Sequence, residues 1–293
     1  MRSNSTNRPD CADGRAFSLI EMMVAVSLLA VIIVGLLAMF YQVQRAFRAG
    51  TTQSDIMEGG RATMSLLVRD VAEMVASRHE WITNCVIEPA LGLNSTAQDL
   101  SAPASVPRQN HLQDFQFLTR VNDEWFGTSY RVAFASNGVG VLYRFTTNHP
   151  ADTLPWSTDN IVSNIAVRMA GIGPENDPSY HRVLDGVVDL KFTPYDTNGF
   201  LYFNTNVDTN GMLIRNTFNN IPGFHRFRSN ALPAYLDIEL AVLEPSTLAK
   251  FRVREEIGPA QAAEYLARQI GKTQVFRQRI AIRPAATDVG VHF

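Results

Sequence analysis

Residues 16–21, Ala16-Phe17-Ser18-Leu19-Ile20-Glu21, stand directly before an uncharged, largely apolar run from Met22 to Tyr41. An α-helix of about 20 residues, with a rise of about 1.5 Å per residue, spans a hydrocarbon core of roughly 30 Å. We therefore predict a membrane-spanning helix over residues 17–41. No other stretch of the sequence is apolar over a comparable length, so we expect a single crossing.

Glu21 is the one charged residue at the edge of this span. A carboxylate in that position costs about 2–3 kcal/mol even on lenient insertion scales, which suggests that it has a partner of opposite charge. The alternative interpretation places Glu21 at the lipid interface, where water hydrates it and it only flanks the span.

The residues around Glu21 resemble the processing signal of type IV pilins and of the pseudopilins of type II secretion. A polar leader with three arginines, residues 1–16, precedes Phe-Ser-Leu-Ile-Glu and the apolar run. In that family a prepilin peptidase cuts before the Phe, methylates the new amino terminus and leaves Glu at the fifth mature position. The resemblance therefore implies cleavage between Ala16 and Phe17, with N-methylation of Phe17 and Glu21 at the fifth position.

One residue departs from the family pattern. The family usually has Gly before the cut, whereas this chain has Ala16, with Gly14 two residues earlier. A cut after Gly14 would place Glu21 at the seventh position, out of register. We therefore favour cleavage between Ala16 and Phe17.

The resemblance also implies partners and a location. Cleavage would create an α-amino group on Phe17 at the membrane depth of Glu21, and paired charges in a low dielectric cost much less than isolated ones. Glu21 would thus neutralise the amine of a neighbouring subunit during assembly. The implied partners are the prepilin peptidase, other pilins or pseudopilins, an inner-membrane assembly platform and membrane lipid. The implied location is the inner membrane, single-pass, with the rest of the chain in the periplasm or on a surface filament.

We predict that the helix continues in amphipathic form over residues 42–81, because apolar residues recur there at helical spacing. Its buried face is predicted to hold Met64, Leu67, Val68, Val71, Met74 and Val75. Its polar face is predicted to hold Arg61, Arg69, Asp70 and Glu73. Glycine costs about 1 kcal/mol in a helix interior, so Gly50 and the pair Gly59-Gly60 predict a kink or break.

Residues 82–293 are predicted to form a β-rich globular domain. A long polar loop is expected from Asn84 to about Asp114, and a short helix from Pro259 to Ile270. Apolar, β-branched and aromatic patterning predicts strands at 115–121, 130–134, 139–145, 183–195, 235–243 and 275–283. The predicted fold class is α+β and pilin-like: a long N-terminal transmembrane helix packed on an antiparallel β-sheet with large loops.

The predicted strand at 183–195 carries a second, looser resemblance. With Leu184, Phe192, Tyr195, Asp196 and Gly199, it is similar to a strand of the J-type minor pseudopilins and the W-type minor pilins. The length of the chain also favours a minor subunit, because the family's major subunits are usually much shorter.

Asp196-Thr-Asn-Gly199 recurs as Asp208-Thr-Asn-Gly211. Oxygen ligands at alternate positions suit calcium, and some pseudopilins bind calcium. Neither copy has the further acidic residues of an EF-hand loop, and Asp and Asn-Gly are common turn formers. We interpret both copies as turns, with calcium binding as the alternative, and otherwise expect no cofactor.

The sequence contains no pattern typical of a catalytic or zinc site: its six histidines are scattered and no nucleophile elbow is present. Cys85 is interpreted as a buried small residue, with an intermolecular disulfide as the alternative. Three short basic repeats, at 225–228, 251–254 and 276–279, are interpreted as outward arginines on amphipathic strands. Only if they were adjacent would they form an anion-binding stripe for nucleic acid, and the net charge of −2 argues against nucleic acid as a partner.

The sequence therefore predicts a non-enzymatic minor pilin or pseudopilin subunit of a filament. Two alternatives remain open. One is a pilin for adhesion or DNA uptake rather than secretion. The other is a singly anchored membrane protein whose β domain binds a ligand.

Overall fold

The structure is a computed structural model. It describes residues 18–77, 82–89, 97–98, 108–122, 124–136, 138–150, 179–201, 224–228 and 230–282. The chain divides into two compact units, residues 1–51 and 52–293. Helix α1, Leu19–Ala72, begins in the first unit and ends in the second. Each unit is described below by itself.

The second unit contains an eight-stranded sheet in which every pair of neighbours is antiparallel. Its strands, in chain order, are β1 Thr83–Pro89, β4 Gln113–Val121, β5 Glu124–Ser136, β6 Val139–Pro150, β7 Tyr180–Tyr195, β8 His225–Arg228, β9 Tyr235–Leu243 and β10 Thr273–Ala281. The spatial order is β10-β9-β7-β6-β5-β4-β1-β8, and β2 Ala97–Gln98 pairs separately with β3 Arg108–Gln109. A long apolar helix followed by an antiparallel sheet confirms the predicted α+β class.

All six predicted strands are present: β9 has the predicted bounds, and the others differ by up to six residues at an end. The strands with the clearest alternation were the easiest to predict. In β9, for example, Leu236, Ile238 and Leu240 are buried in the core while Asp237 and Glu239 lie on the opposite face.

The loop predicted from Asn84 to Asp114 is wrong at both ends, because β1 lies inside the sheet between β4 and β8 and β4 begins at Gln113. Residues 90–96 and 99–107 of the predicted loop lie outside the described residues. The residues from Thr83 to Ile87 are all buried. A strand buried on both faces shows no alternation of apolar and polar residues, and this one is short. The sequence of β1 therefore gave no strand pattern and was not distinguishable from the polar loop sequence that follows it.

Helix α1 ends at Ala72, short of the predicted end near Trp81. The following residues run beside β4 instead: Met74 forms a β-bridge with Thr119, and the Val75 N–H donates to the Leu118 carbonyl at 3.0 Å. These bonds to the sheet replace those of a further helical turn. Helical spacing alone did not reveal that competition.

The C-terminal part of α1, which belongs to the second unit, packs across the sheet. Ile56, Met64, Leu67 and Val71 are buried in one core cluster with strand residues that include Cys85, Ile87, Phe115, Phe117, Tyr130, Leu142, Leu190, Phe192 and Ile238. Burying apolar surface contributes roughly 25 cal/mol per Å², so this cluster is the main attachment of the helix to the sheet.

Asp70 lies in this interface, and its predicted place on the polar face of the helix is wrong. Its side chain is buried, and its Oδ2 accepts a hydrogen bond from the Tyr130 hydroxyl at 2.7 Å and one from Arg144 Nε at 2.6 Å. Burial and the hydrogen bond to Asp70 raise the pKa of Tyr130 above its usual range. A charged residue can be buried when a charged partner across the interface satisfies it, as Arg144 does here.

In the described part of the chain, two further helices cover part of the opposite face of the sheet. Helix α2 spans Pro245–Ile257 and α3 spans Pro259–Ala267, followed by a 3-10 turn, Ile270–Lys272. Their buried residues Leu248, Phe251, Ala262 and Leu266 form a second cluster with Val139, Val188, Ala241 and Leu243. The predicted helix at 259–270 is confirmed over α3, whereas α2 was not predicted.

The glycine pair 59–60 lies within continuous helix rather than at a break. A Cβ added at Gly60 would overlap the ring of Phe276 on β10, while one added at Gly59 would meet Leu184 at an ordinary 3.5 Å. Gly60 is therefore the position at which β10 approaches the helix closely.

This difference predicts different effects for two neighbouring substitutions. Gly59→Ala should stabilise the second unit by about 0.5–1 kcal/mol, because alanine favours the helix and fits. Gly60→Ala should be less stable than Gly59→Ala by about 1–3 kcal/mol, because the Phe276 ring must move. Denaturant unfolding of the full chain in detergent measures both. Equal stabilities would contradict the close contact, and adding Phe276→Ala should remove the difference.

Candidate functional site

The first unit contains the candidate assembly segment, which is the part of α1 from Leu19 to Tyr41. Within the described residues, α1 is the one helix long and apolar enough to cross a membrane, and none of its most apolar 18-residue window is buried. The side chains from Leu19 to Tyr41 are all exposed. Exposing that much apolar surface to water is unfavourable, so the segment suits lipid or other helices as its surroundings.

Glu21 lies in the first turn of α1. The helix start is defined by hydrogen bonds to the Ser18 carbonyl, from the N–H of Glu21 at 3.0 Å and from that of Met22 at 3.2 Å. The Glu21 side chain is exposed. A carboxylate in the first turn is favourable, because the first N–H groups of a helix lack partners and carry partial positive charge.

Ala16 and Phe17, the predicted cleavage and methylation residues, lie outside the described residues. The spacing between the Phe17 nitrogen and Glu21 therefore stays a prediction from the sequence. The arrangement that is described is a carboxylate at the start of an exposed apolar helix.

Residues 13–37 match a family model described as the prokaryotic N-terminal methylation motif. The matched range includes Ala16, Phe17 and Glu21 and extends well into α1. The methylation motif supports the type IV pilin and pseudopilin family and, with the apolar helix, a single-pass membrane-anchored protein. No curated protein and no solved structure gave a significant match. The likeness to the J-type or W-type subunits stays a prediction.

The first Asp-Thr-Asn-Gly copy forms a turn, as predicted. Asp196 Oδ1 accepts hydrogen bonds from the N–H groups of Asn198 at 2.9 Å and Phe200 at 2.7 Å, and Gly199 has a φ of 80°. These bonds close the turn around the Asp196 carboxylate. The second copy, 208–211, lies outside the described residues. In the described part of the chain, no three His, Cys, Asp or Glu side chains are grouped to hold a metal ion.

The three basic repeats do not form one stripe. They lie on β8, on α2 and on β10, and β8 and β10 are the two opposite edges of the sheet. Arg277 pairs with Glu239 at 2.8 Å, Arg279 pairs with Asp237 at 2.6 Å, and the Arg254 guanidinium lies 3.9 Å from the Tyr265 ring centroid. The repeats are therefore not adjacent, as the anion-stripe alternative required. The interpretation as outward arginines on amphipathic strands is confirmed for β10 and is wrong for 251–254, which lies on helix α2.

Cys85 is completely buried in β1, among the core residues under α1. Burial raises the pKa of its thiol well above the usual range, so the group stays protonated. This environment confirms the interpretation of Cys85 as a buried small residue.

Proposed function

We propose that this chain is a non-enzymatic minor pilin or pseudopilin subunit that assembles into a type II secretion pseudopilus or a type IV pilus-like filament. The observation that carries the proposal is the methylation motif over residues 13–37, in which Glu21 lies in the first turn of an exposed apolar helix. An enzyme needs a constellation of reactive groups, whereas a filament subunit needs only this helix and a folded domain to display.

The proposed division of the chain follows from that role. Residues 1–16 are a leader that the prepilin peptidase removes, and residues 17–41 hold the subunit in the inner membrane before assembly. The domain of residues 82–293 then lies in the periplasm or on the filament surface. Lipid surrounds the apolar helix before assembly, and the helices of other pilins or pseudopilins surround it afterwards.

Charge pairing supplies the physical reason for assembly. Cleavage leaves an ammonium group on Phe17, and burying it among helices is costly unless a carboxylate neutralises it. Glu21 of an adjoining subunit would provide that carboxylate. An inner-membrane assembly platform would bring the two subunits together.

Two further functions fit the same fold. A pilin for adhesion or DNA uptake would share the anchor and the processing, and would differ in what the β-rich domain binds. A singly anchored binding protein would share the domain but would need neither methylation nor Glu21. Processing therefore separates the filament subunit from the simple anchor.

Processing provides the first test of the proposed function. In a host with an active prepilin peptidase, mass spectrometry of the membrane-extracted chain should find N-methylated Phe17 at the amino terminus. The same chain from a host that lacks the peptidase should keep its leader and serves as the control. An intact leader in the first host, or a terminus at Arg15, would contradict the assignment.

A further inference from the structure

Strand β10 is one edge of the eight-stranded sheet. Among the described residues only β9 pairs with it, along the whole of Thr273–Ala281. The strand at the other edge, β8, has four residues, whereas β10 has nine. A long edge strand presents backbone N–H and C=O groups that can pair with a strand from another chain.

The backbone bonds identify which residues of β10 face away from β9, the edge that is free among the described residues. The Glu244 N–H donates to the Lys272 carbonyl at 3.0 Å, and the Ile282 N–H donates to the Ala234 carbonyl at 2.9 Å. The register between these two bonds is unbroken. Because residues of an antiparallel strand bond alternately to either side, the even-numbered residues of β10 bond to β9. The odd-numbered residues, Thr273, Val275, Arg277, Arg279 and Ala281, direct their N–H and C=O groups away from β9.

The side chains on this part of the sheet form two cross-strand rows of charge that end at the same edge. Lys191, Glu239 and Arg277 lie opposite one another on β7, β9 and β10, as do Thr193, Asp237 and Arg279. The rows line an open groove of about 460 Å³. Each row therefore ends at β10 with an arginine.

Both arginines are held in place by bonds to β9. Arg277 Nη2 donates to Glu239 Oε1 at 2.8 Å, and Arg279 donates to both carboxylate oxygens of Asp237, at 2.6 and 2.8 Å. The Arg279 guanidinium also lies 4.3 Å from the Tyr195 ring centroid, and its hydrogen bond lowers the pKa of Asp237. Arginines fixed in this way lose little freedom when they bind a second partner.

The same arginines have donors to spare. A guanidinium carries five N–H donors, and the bonds to the β9 carboxylates use only one or two of them. The side chains of Arg277 and Arg279 are 70% and 52% exposed. A carboxylate on an added strand would continue each row as the next charge of alternating sign, and such opposite-charge pairs stabilise neighbouring strands.

We propose that β10 receives, as an added strand, an extended segment of a partner protein with carboxylates at alternate positions and apolar residues between them. The apolar residues are required because the even-numbered side chains Phe276 and Ile280 face the core side of the sheet. Strand β9 already shows this pattern on the other side of β10, in Leu236-Asp-Ile-Glu-Leu240. This binding edge of β10 would act in addition to the proposed filament role, and it uses no residue of the predicted membrane span.

A peptide copying residues 235–243 tests this proposal on the full chain in detergent micelles. It should bind, and its binding should protect the amide hydrogens of Val275, Arg277 and Arg279 from exchange. A matched peptide with Asn and Gln in place of its two acidic residues should bind about tenfold more weakly, because both cross-strand ion pairs are lost. Added salt should weaken binding of the acidic peptide more than that of the amide peptide.

A proline at the edge separates strand addition from simple charge attraction. Val275→Pro removes one N–H that faces the free edge and keeps both arginines, so the acidic peptide should bind at least about tenfold more weakly. Val275→Ala is the matched control and should bind like the native chain. Absent binding, unprotected β10 amides, equal affinity for the two peptides, or native affinity in Val275→Pro would each overturn the proposal. So would protection that grows with protein concentration alone, because it would assign the edge to a second copy of the chain.

Discussion

Replacing Glu21 with leucine is expected to leave membrane insertion intact or improved and to reduce incorporation into a filament by more than about a hundredfold. Insertion gains because a cost of roughly 2–3 kcal/mol at the span is removed. Assembly loses because the Phe17 ammonium of the adjoining subunit would be buried without a partner, at a cost of about 3–5 kcal/mol. Co-purification with other pilins, at matched membrane levels, measures the effect.

Ser27→Leu is the matched control for this substitution. Ser27 lies on the same exposed segment, and its hydroxyl donates only locally in the described structure, to the Val24 carbonyl at 2.8 Å. The variant adds the same side chain without removing a charge, so it should assemble like the native subunit. If Glu21 is only a hydrated flank of the span, neither variant should change assembly. Native incorporation of Glu21→Leu would therefore remove the assembly role. A subunit at the filament tip would show a weaker defect, since it accepts no neighbour on one side.

Replacing Asp70 with alanine is expected to reduce the free energy of unfolding of the second unit by about 3–5 kcal/mol. The substitution leaves Arg144, whose side chain is 25% exposed, without its carboxylate, and it leaves the Tyr130 hydroxyl without its acceptor. Removing one partner of a buried ion pair is much more costly than losing an exposed pair. Denaturant unfolding of the full chain in detergent, followed through a signal of the sheet, measures the loss.

Two comparisons isolate the buried pair in that experiment. Arg69→Ala alters the neighbouring residue, whose side chain is 69% exposed and 3.7 Å from Asp70, and should change stability by no more than about 0.5 kcal/mol. Combining Asp70→Ala with Arg144→Met removes both charges and should recover part of the lost stability. A loss below about 1 kcal/mol for Asp70→Ala, or no recovery in the double variant, would show that the buried pair does not stabilise the second unit as predicted.

The sequence predicted the features whose cause is local. The methylation motif is recognisable because its residues are neighbours in the chain. The first part of β9 alternates because Leu236, Ile238 and Leu240 face the core while Asp237 and Glu239 face the other side. Helix α3 was recognisable from Pro259 and from the spacing of Ala262 and Leu266. In each of these cases the decisive interaction lies within a few residues.

The features that the sequence did not reveal depend on distant partners. Asp70 looks like a surface residue until Tyr130 and Arg144 are placed beside it. The Phe-Arg-Val-Arg repeat in α2 alternates like a strand, yet its Phe251 is buried on a helix against the sheet. Gly60 predicts a helix break when only its neighbours are considered. Its role becomes clear only from the ring of Phe276, which is far along the chain and leaves no room for a Cβ at this position.

The surroundings of the exposed part of α1 test the central claim most directly. A photo-activated crosslinking residue in place of Leu28, an exposed residue of that segment, would label whatever packs there in cells with an active prepilin peptidase. The account predicts crosslinks to the apolar helices of other processed pilin-type subunits, and their loss in cells without the peptidase. Crosslinks to lipid alone in both kinds of cell would contradict it, because the helix would then be only an anchor.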